Sequence, residues 1–292
     1  MKLSAPLYVA GFLLMFSFKS SIVGKLNRTK TLDSLGACQG LSYQNGKYFL
    51  YGDREVGVMR SYNLIGDSLE YDGNEYKFTV NAENAIKHPT GIAYRKGLPT
   101  FVGNSVRLNG EGTKWKAVIN QINWEGFLKK KTLDENLIST IDDDACIQGT
   151  RPEYVKYKGK WFVATSDYGD KNNEVRLYEP NLLAKAKSTN EKGVLVKKFT
   201  CSAWVQNLYW LDKKGILVLV QNQIEGRKWR LTFLDLEKSI ASGKESIIEV
   251  IDTDKADELE GFVFGENIEK GIAVSSSRKN NVSQMDFDWF GK

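Results

Sequence analysis

Histidine occurs once in 292 residues, as His88. That scarcity excludes a multi-histidine metal site and the histidine-based zinc triads. Cysteine is sparse too. Cys38, Cys146 and Cys201 stand at no zinc or redox spacing, and an odd number in an exported chain leaves at least one thiol free. With five prolines against 26 glycines, the turns must be built from Gly, Asn and Asp. No apolar run reaches the roughly 20 residues a membrane-spanning helix needs. A Gly-rich phosphate loop, a nucleophile elbow and a Ser-His-Asp order are all missing. Blocks of one charge are missing as well. The net charge of +5 comes from lysines interleaved with acids. The one compact run, Lys129-Lys130-Lys131, reads as a solvated strand or loop face rather than a nucleic-acid patch.

What is present suffices for a large core: 41% hydrophobic and 12% aromatic residues exclude a disordered chain. Lys2 followed by the apolar residues 5–18 reads as an export signal over residues 1–24, which implies a secreted or periplasmic protein. A buried first strand is the alternative reading. Residues 25–292 are expected to form a single domain.

The clearest pattern is a repeated hairpin, best seen at residues 149–167 (GTRPEYVKYKGKWFVATSD). Polar residues open the unit, two strands flank Lys158-Gly159, and Ser166-Asp167 closes it. Related hairpins turn at Asn45-Gly46, Lys96-Gly97 and Lys213-Lys214-Gly215, and near Glu269-Lys270-Gly271. Asn-Gly between apolar runs is a strong hairpin signal. Equivalent positions Gly40, Gly91, Glu153, Asn207 and Gly261 lie 51, 62, 54 and 54 residues apart. Short strands at such a period indicate a β-propeller of five blades. Outer strands are expected after each hairpin, for example at residues 115–124 and 127–133, and residues 181–192 and 236–244 read as surface insertions. The last unit lacks a fourth strand, and residues 25–32 lack a hairpin. The fold class is therefore all-β, a five-bladed propeller whose last blade is closed by the N-terminal strand.

Antiparallel pairing brings the start of each inner strand and the end of the next to one end of the central channel. Polar residues collect there although strands favour apolar ones. Gln39, Asp53, Arg54, Arg151, Trp204, Gln206, Gln221 and Arg278 are the expected ligand-binding residues. Glu153, Glu260, Asp167 and His88 are the expected catalytic ones. Carboxylate pairs such as Glu153 with Glu260 suit acid/base work. Glu153, Glu260, Asn104 and Asn222 equally suit a hard cation such as Ca²⁺. Trp204 would stack on a sugar or pack between blades, and His88 would act as a lone base or pack beside Pro89. A Cys146–Cys201 disulfide would join neighbouring connections.

The segment CQGLSYQNGKYFLYG, starting at Cys38, resembles the opening blade of the five-bladed glutamine cyclotransferases. The resemblance implies a propeller that cyclises N-terminal glutamine. Those enzymes carry an acidic residue after the Leu-Tyr of the second strand, where Gly52 stands here. LEGFVF (residues 259–264) is similar to strand openings in lactonase-like, calcium-containing propellers, which are usually six-bladed. The expected protein is a monomeric hydrolase-like enzyme for a small polar molecule or carbohydrate. The alternatives are a glutaminyl cyclase-like acyltransferase and a non-catalytic propeller that binds a glycan or a protein.

Overall fold

All five expected hairpins form, and each opens a four-stranded antiparallel sheet. The computed structural model describes residues 22–171, 173–222 and 226–290. Most of the expected export segment lies outside them.

In chain order the first elements are β1 (Ile22–Lys30), β2 (Ala37–Gln44), β3 (Lys47–Asp53), β4 (Gly57–Ile65) and β5 (Ser68–Lys77). A small ribbon, β6 (Thr79–Val80) and β7 (Glu83–Asn84), precedes β8 (Pro89–Ala93), β9 (Thr100–Arg107) and β10 (Trp115–Ile122). Helix α1 (Trp124–Lys130) leads to β11 (Leu137–Asp142). Next come β12 (Glu153–Tyr157), β13 (Lys160–Thr165), β14 (Glu174–Tyr178), α2 (Pro180–Leu183) and β15 (Leu195–Thr200). The chain continues with β16 (Val205–Leu211), β17 (Ile216–Asn222), β18 (Trp229–Asp235), α3 (Leu236–Ser242) and β19 (Ile247–Asp252). It ends with β20 (Leu259–Phe264), β21 (Lys270–Ser275) and β22 (Val282–Trp289). Blade I is β2–β5, blade II β8–β11, blade III β12–β15, blade IV β16–β19, and blade V β20–β22 with β1. The fold is a five-bladed β-propeller.

Local chemistry explains the hairpins. Asn45-Gly46 and Lys158-Gly159 both have positive φ at each residue, as two-residue turns matching strand twist require. The inner strands are apolar because they are covered on both faces, and every residue of β17 is buried. Outer strands such as β15 bury only one residue. Aromatic side chains fill the seams between blades. Phe233 of blade IV meets Phe287 and Trp289 of blade V, which in turn pack on Phe264, and Phe49 meets Trp124 between blades I and II.

β1 pairs antiparallel with β22 from Ile22↔Trp289 to Lys30↔Val282, closing the ring as expected. The strand begins within the segment assigned to the export signal, since Ile22, Val23 and Gly24 already pair. Deleting residues 22–30 would bare the full edge of β22. Such a truncation is expected to lose cooperative thermal unfolding and to aggregate on size-exclusion chromatography; a monomer melting like the full chain would contradict this account of closure.

One expected strand is wrong. Residues 127–133 do not form an outer strand: Phe127 lies in α1, and the fourth strand of blade II is β11. Asn123 caps the helix by accepting from the Gly126 amide, while Trp124 and Phe127, three residues apart, bury the same face. Lys129 and Lys130 occupy its last turn, where cations favour the helix dipole, and Lys131 ends it in the left-handed region.

Candidate functional site

Four of the five inner strands slip register at the same place. The shifts fall between Cys38 and Gly40, Pro89 and Gly91, Val205 and Asn207, and Leu259 and Gly261. The extra residues are Gln39, Thr90, Gln206 and Glu260. A bulge bends the strand and re-aims the side chain it carries. In blade III Pro152 occupies that position, and pairing begins at Glu153↔Ala164. Thus the expected polar strand starts owe their orientation to bulges.

The next layer holds Gly40, Gly91, Glu153, Asn207 and Gly261. Here glycine makes room. A Cβ on Gly40 would stand 2.4 Å from the Tyr51 hydroxyl oxygen, and one on Gly261 2.9 Å from the Gly40 Cα. Tyr51 is fully buried, and its hydroxyl oxygen accepts from Asn207 Nδ2 at 3.1 Å. Blades I and IV are not neighbours in a ring of five, so this side chain crosses the axis and plugs the channel.

Beside the plug lies a charged cluster shared by blades III, IV and V. Gln206 Nε2 donates to Glu258 Oε1 at 2.9 Å and to Glu260 Oε1 at 3.5 Å. Arg151 is buried and donates to the Gln206 carbonyl at 3.3 Å and to Gln206 Oε1 at 3.2 Å. Tyr168 donates to Glu258 at 3.2 Å, as does Arg227. Glu260 is only 4% exposed. Burial holds its carboxyl well above the usual carboxylate range, and the charge of Glu258 adds to the shift, against the opposing pull of Arg151. Its surroundings therefore favour the neutral form of the Glu260 carboxyl. Burial also lowers the pKa of Arg151, with Asp167 opposing.

Glu153 joins this layer but not the cluster. Its carboxylate accepts only from the following amide, Tyr154 N, at 2.9 Å. No hydrogen bond joins it to Glu260 or Asp167 among the described residues, so the pairs expected from the sequence do not form. Burial pushes its carboxyl from 4.5 up to about 8, against smaller opposing effects from that amide and Arg95. A carboxyl raised in the fold contributes stability fully below its unfolded pKa and loses it as pH rises through the folded value. Glu153→Gln is therefore expected to melt like wild type at pH 4 and above it at pH 8.5. Parallel melting curves across that range would refute the assignment.

The remaining expected residues separate. Gln39 is buried, and its amide makes no hydrogen bond among the described residues. Asp53 Oδ2 meets His88 Nδ1 at 3.1 Å. Both line a cleft of about 750 Å³ between blades I and II, with Arg54, Asn104, Arg107 and Trp115. Arg54 is tied to Glu75 at 2.8 Å. Asp167 accepts from the Ile147 and Gln148 amides at 3.0 and 2.8 Å and so pins the loop before Arg151. Gln221 turns away from the axis: it donates to the Ala203 carbonyl and accepts from Thr232, both at 2.7 Å, so it is structural. Arg278 is exposed in the turn after β21, outside the cluster.

The expected calcium ligands do not fit a cation. Asn104 Oδ1 accepts from His88 N at 3.2 Å, and Asn222 Oδ1 from Leu259 N at 2.8 Å. Among the described residues no three His, Cys, Asp or Glu side chains gather as a metal cage. The three cysteines are free, so the Cys146–Cys201 disulfide does not form. Sequence reasoning missed Glu258, Tyr168, Arg227 and Tyr51. The only signal for Glu258 is its place two residues before Glu260, across the bulge.

No protein-family model matches the sequence, and no curated protein does. The fold is similar to that of a Myxococcus xanthus glutaminyl cyclase, with a TM-score of 0.53 and 14% identity over 92% of this chain and 98% of that one. U3-55K aligns at a TM-score of 0.45 and 7% identity, over 90% of this chain and 98% of that one. Hydrazine synthase of Kuenenia stuttgartiensis aligns at 0.43 and 12%, over 84% and 57% respectively.

Proposed function

We propose that the axial face is an active site at which Glu260, as a neutral acid, protonates the leaving group of a small polar substrate or carbohydrate. The protein is then an exported, monomeric, hydrolase-like enzyme. Export rests on Lys2 and the apolar residues 5–18. The observation that carries the enzymatic reading is the Gln206 amide shared by Glu258 and Glu260, with burial and the Glu258 charge raising the pKa of Glu260. A carboxyl whose neutral form is favoured, set beside a second carboxyl that is paired with Arg227, gives an acid and a base. Glu260 donates its proton to the departing atom. Glu258 takes a proton from the attacking water, whose oxygen bonds to the substrate. Arg151, Gln206 and Tyr168 hold the two carboxyls in place.

A second reading is favoured by Gln39-Gly40-Leu41 and by the whole-length likeness to a glutaminyl cyclase fold. In it the same acids would pass a proton from the substrate amine to departing ammonia. Screening lactones, glycosides and N-terminal glutaminyl peptides with wild type and Glu260→Gln separates the two. Turnover equal in both proteins sinks the role of Glu260. Glycan binding through these residues without turnover would make the protein a binding propeller instead.

A further inference from the structure

The cleft between blades I and II shares no lining residue with the Glu258–Glu260 cluster, and its charges are unbalanced. Asp53 is the one acid on its wall, against Arg54, Lys87 and Arg107. Asp53 is occupied by His88, and Arg54 by Glu75 at 2.8 Å. Lys87 and Arg107 pair with no acid among the described residues. Arg107 is nevertheless held in place. It stands directly opposite Trp115 in the β9–β10 ladder, and its guanidinium lies over that ring, 5.0 Å from the centroid. The Trp115 indole is itself fixed by donating to the Gly112 carbonyl at 2.8 Å. A cation–π contact orients a guanidinium while sparing its N–H donors. Trp204, by contrast, packs on Tyr168, centroids 4.9 Å apart, so the tryptophan at the cleft is Trp115.

Two neutral groups complete the wall. Asn104 is 5% exposed; its Oδ1 accepts from the His88 amide at 3.2 Å, while its Nδ2 makes no hydrogen bond among the described residues. The Asp53 carboxylate takes the Nδ1 proton of His88 at 3.1 Å. That leaves Nε2 as an acceptor, also without a partner among the described residues. One neutral donor, one neutral acceptor and two unpaired cations thus line a single space of about 750 Å³, within the usual range for a small-molecule site. A carboxylate matches the guanidinium fork, but it has no proton to give Nε2. A sugar hydroxyl both gives and accepts one.

We infer that this cleft binds an acidic saccharide, with its carboxylate on Arg107 and Lys87 and its hydroxyls on Asn104 Nδ2 and His88 Nε2. The inference goes beyond the Glu258–Glu260 chemistry and holds for a binding propeller as well as for an enzyme.

The test titrates the full ¹⁵N-labelled chain at constant ionic strength with glucuronate and with glucose, which has the hydroxyls but no carboxylate. Asn104→Asp keeps the oxygen that takes the His88 amide and assigns the Asn104 side-chain signals. Glucuronate is expected to move those signals saturably, and glucose to bind at least about tenfold more weakly. Arg107→Gln should weaken glucuronate binding about tenfold, as loss of a charge-assisted hydrogen bond does. Its melting temperature should not change, because Arg107 is exposed at the end of β9. Lys197→Gln removes an exposed charge from the outer strand β15 and should leave the affinity as it was. Equal weakening by Lys197→Gln would mean diffuse attraction and overturns the inference. So does an Arg107→Gln protein that binds like wild type, equal affinity for glucose, or no saturable shift up to the solubility limit. Binding of glucose 6-phosphate without glucuronate overturns the carboxylate class. None of these variants touches Glu258 or Glu260, so failure here leaves the proton-transfer reading standing.

Discussion

Glu260→Gln is expected to lower kcat by about 100- to 10,000-fold, the usual weight of a general acid. The fold should tolerate the change. Burial favours the neutral form of the Glu260 carboxyl, which an amide of the same shape mimics, and its oxygen can still accept from Gln206. Stability should even improve at high pH. Unfolded glutamate ionises above its ordinary pKa, whereas burial and the charge of Glu258 push ionisation of the buried carboxyl to higher pH. Folding must then take up a proton. Wild type is fully stabilised below the unfolded pKa and loses that contribution as pH rises toward the folded value; the glutamine variant does not. Melting temperatures should therefore coincide at pH 4 and favour Glu260→Gln at pH 8.5. Activity should fall on the alkaline side as Glu260 ionises. A variant that is inactive and also unfolded at every pH would make Glu260 a structural residue.

The architecture was legible because it is written in short-range terms. Asn45-Gly46 and Lys158-Gly159 force tight hairpins, and strands covered on both faces must be apolar. Counting positions from Gly40 to Gly261 located one structural layer in all five blades. Residues 127–133 misled because Phe127, Leu128 and Leu133 suit a strand as well as a helix. The Asn123 cap, three residues before the Gly126 amide it satisfies, was the deciding signal. The site was harder to read. Gln221 and Asn222 are adjacent in sequence, yet one packs back on Thr232 and the other on Leu259. Polarity at a strand end does not say which way a side chain faces. Glu258 stood unremarked in a loop that also contains Asp254 and Asp257. Only closure of blades IV and V brings it to Gln206.

Gly52→Glu is the substitution that would place an acid where the glutamine cyclotransferases carry one, and it is expected to unfold the protein rather than confer cyclase activity. Gly52 sits in β3, paired with Cys38 and Val58. A Cβ there would lie 2.2 Å from the Leu35 carbonyl oxygen and 2.6 Å from that of Ala37. Both obstacles are backbone atoms. They belong to a segment whose side chains Leu35 and Cys38 are 1% and 0% exposed, so the segment cannot retreat without opening the core. Even Gly52→Ala must therefore shift a strand, at a cost of about 3 kcal/mol, the upper end of ordinary overpacking. For a chain of this size that lowers Tm by roughly 6–12 °C. Gly46→Ala is the control: its Cβ meets nothing within 4 Å, and only the positive φ of 81° is penalised. That variant should cost about 1 kcal/mol. If Gly52→Glu instead folded and cyclised a glutaminyl peptide, position 52 would be a vacated catalytic position and the Glu258–Glu260 pair would lose its claim. If it unfolds as expected, position 52 offers no place for an acid, and the candidate acids remain those of the neighbouring blade V, at the bulge of β20.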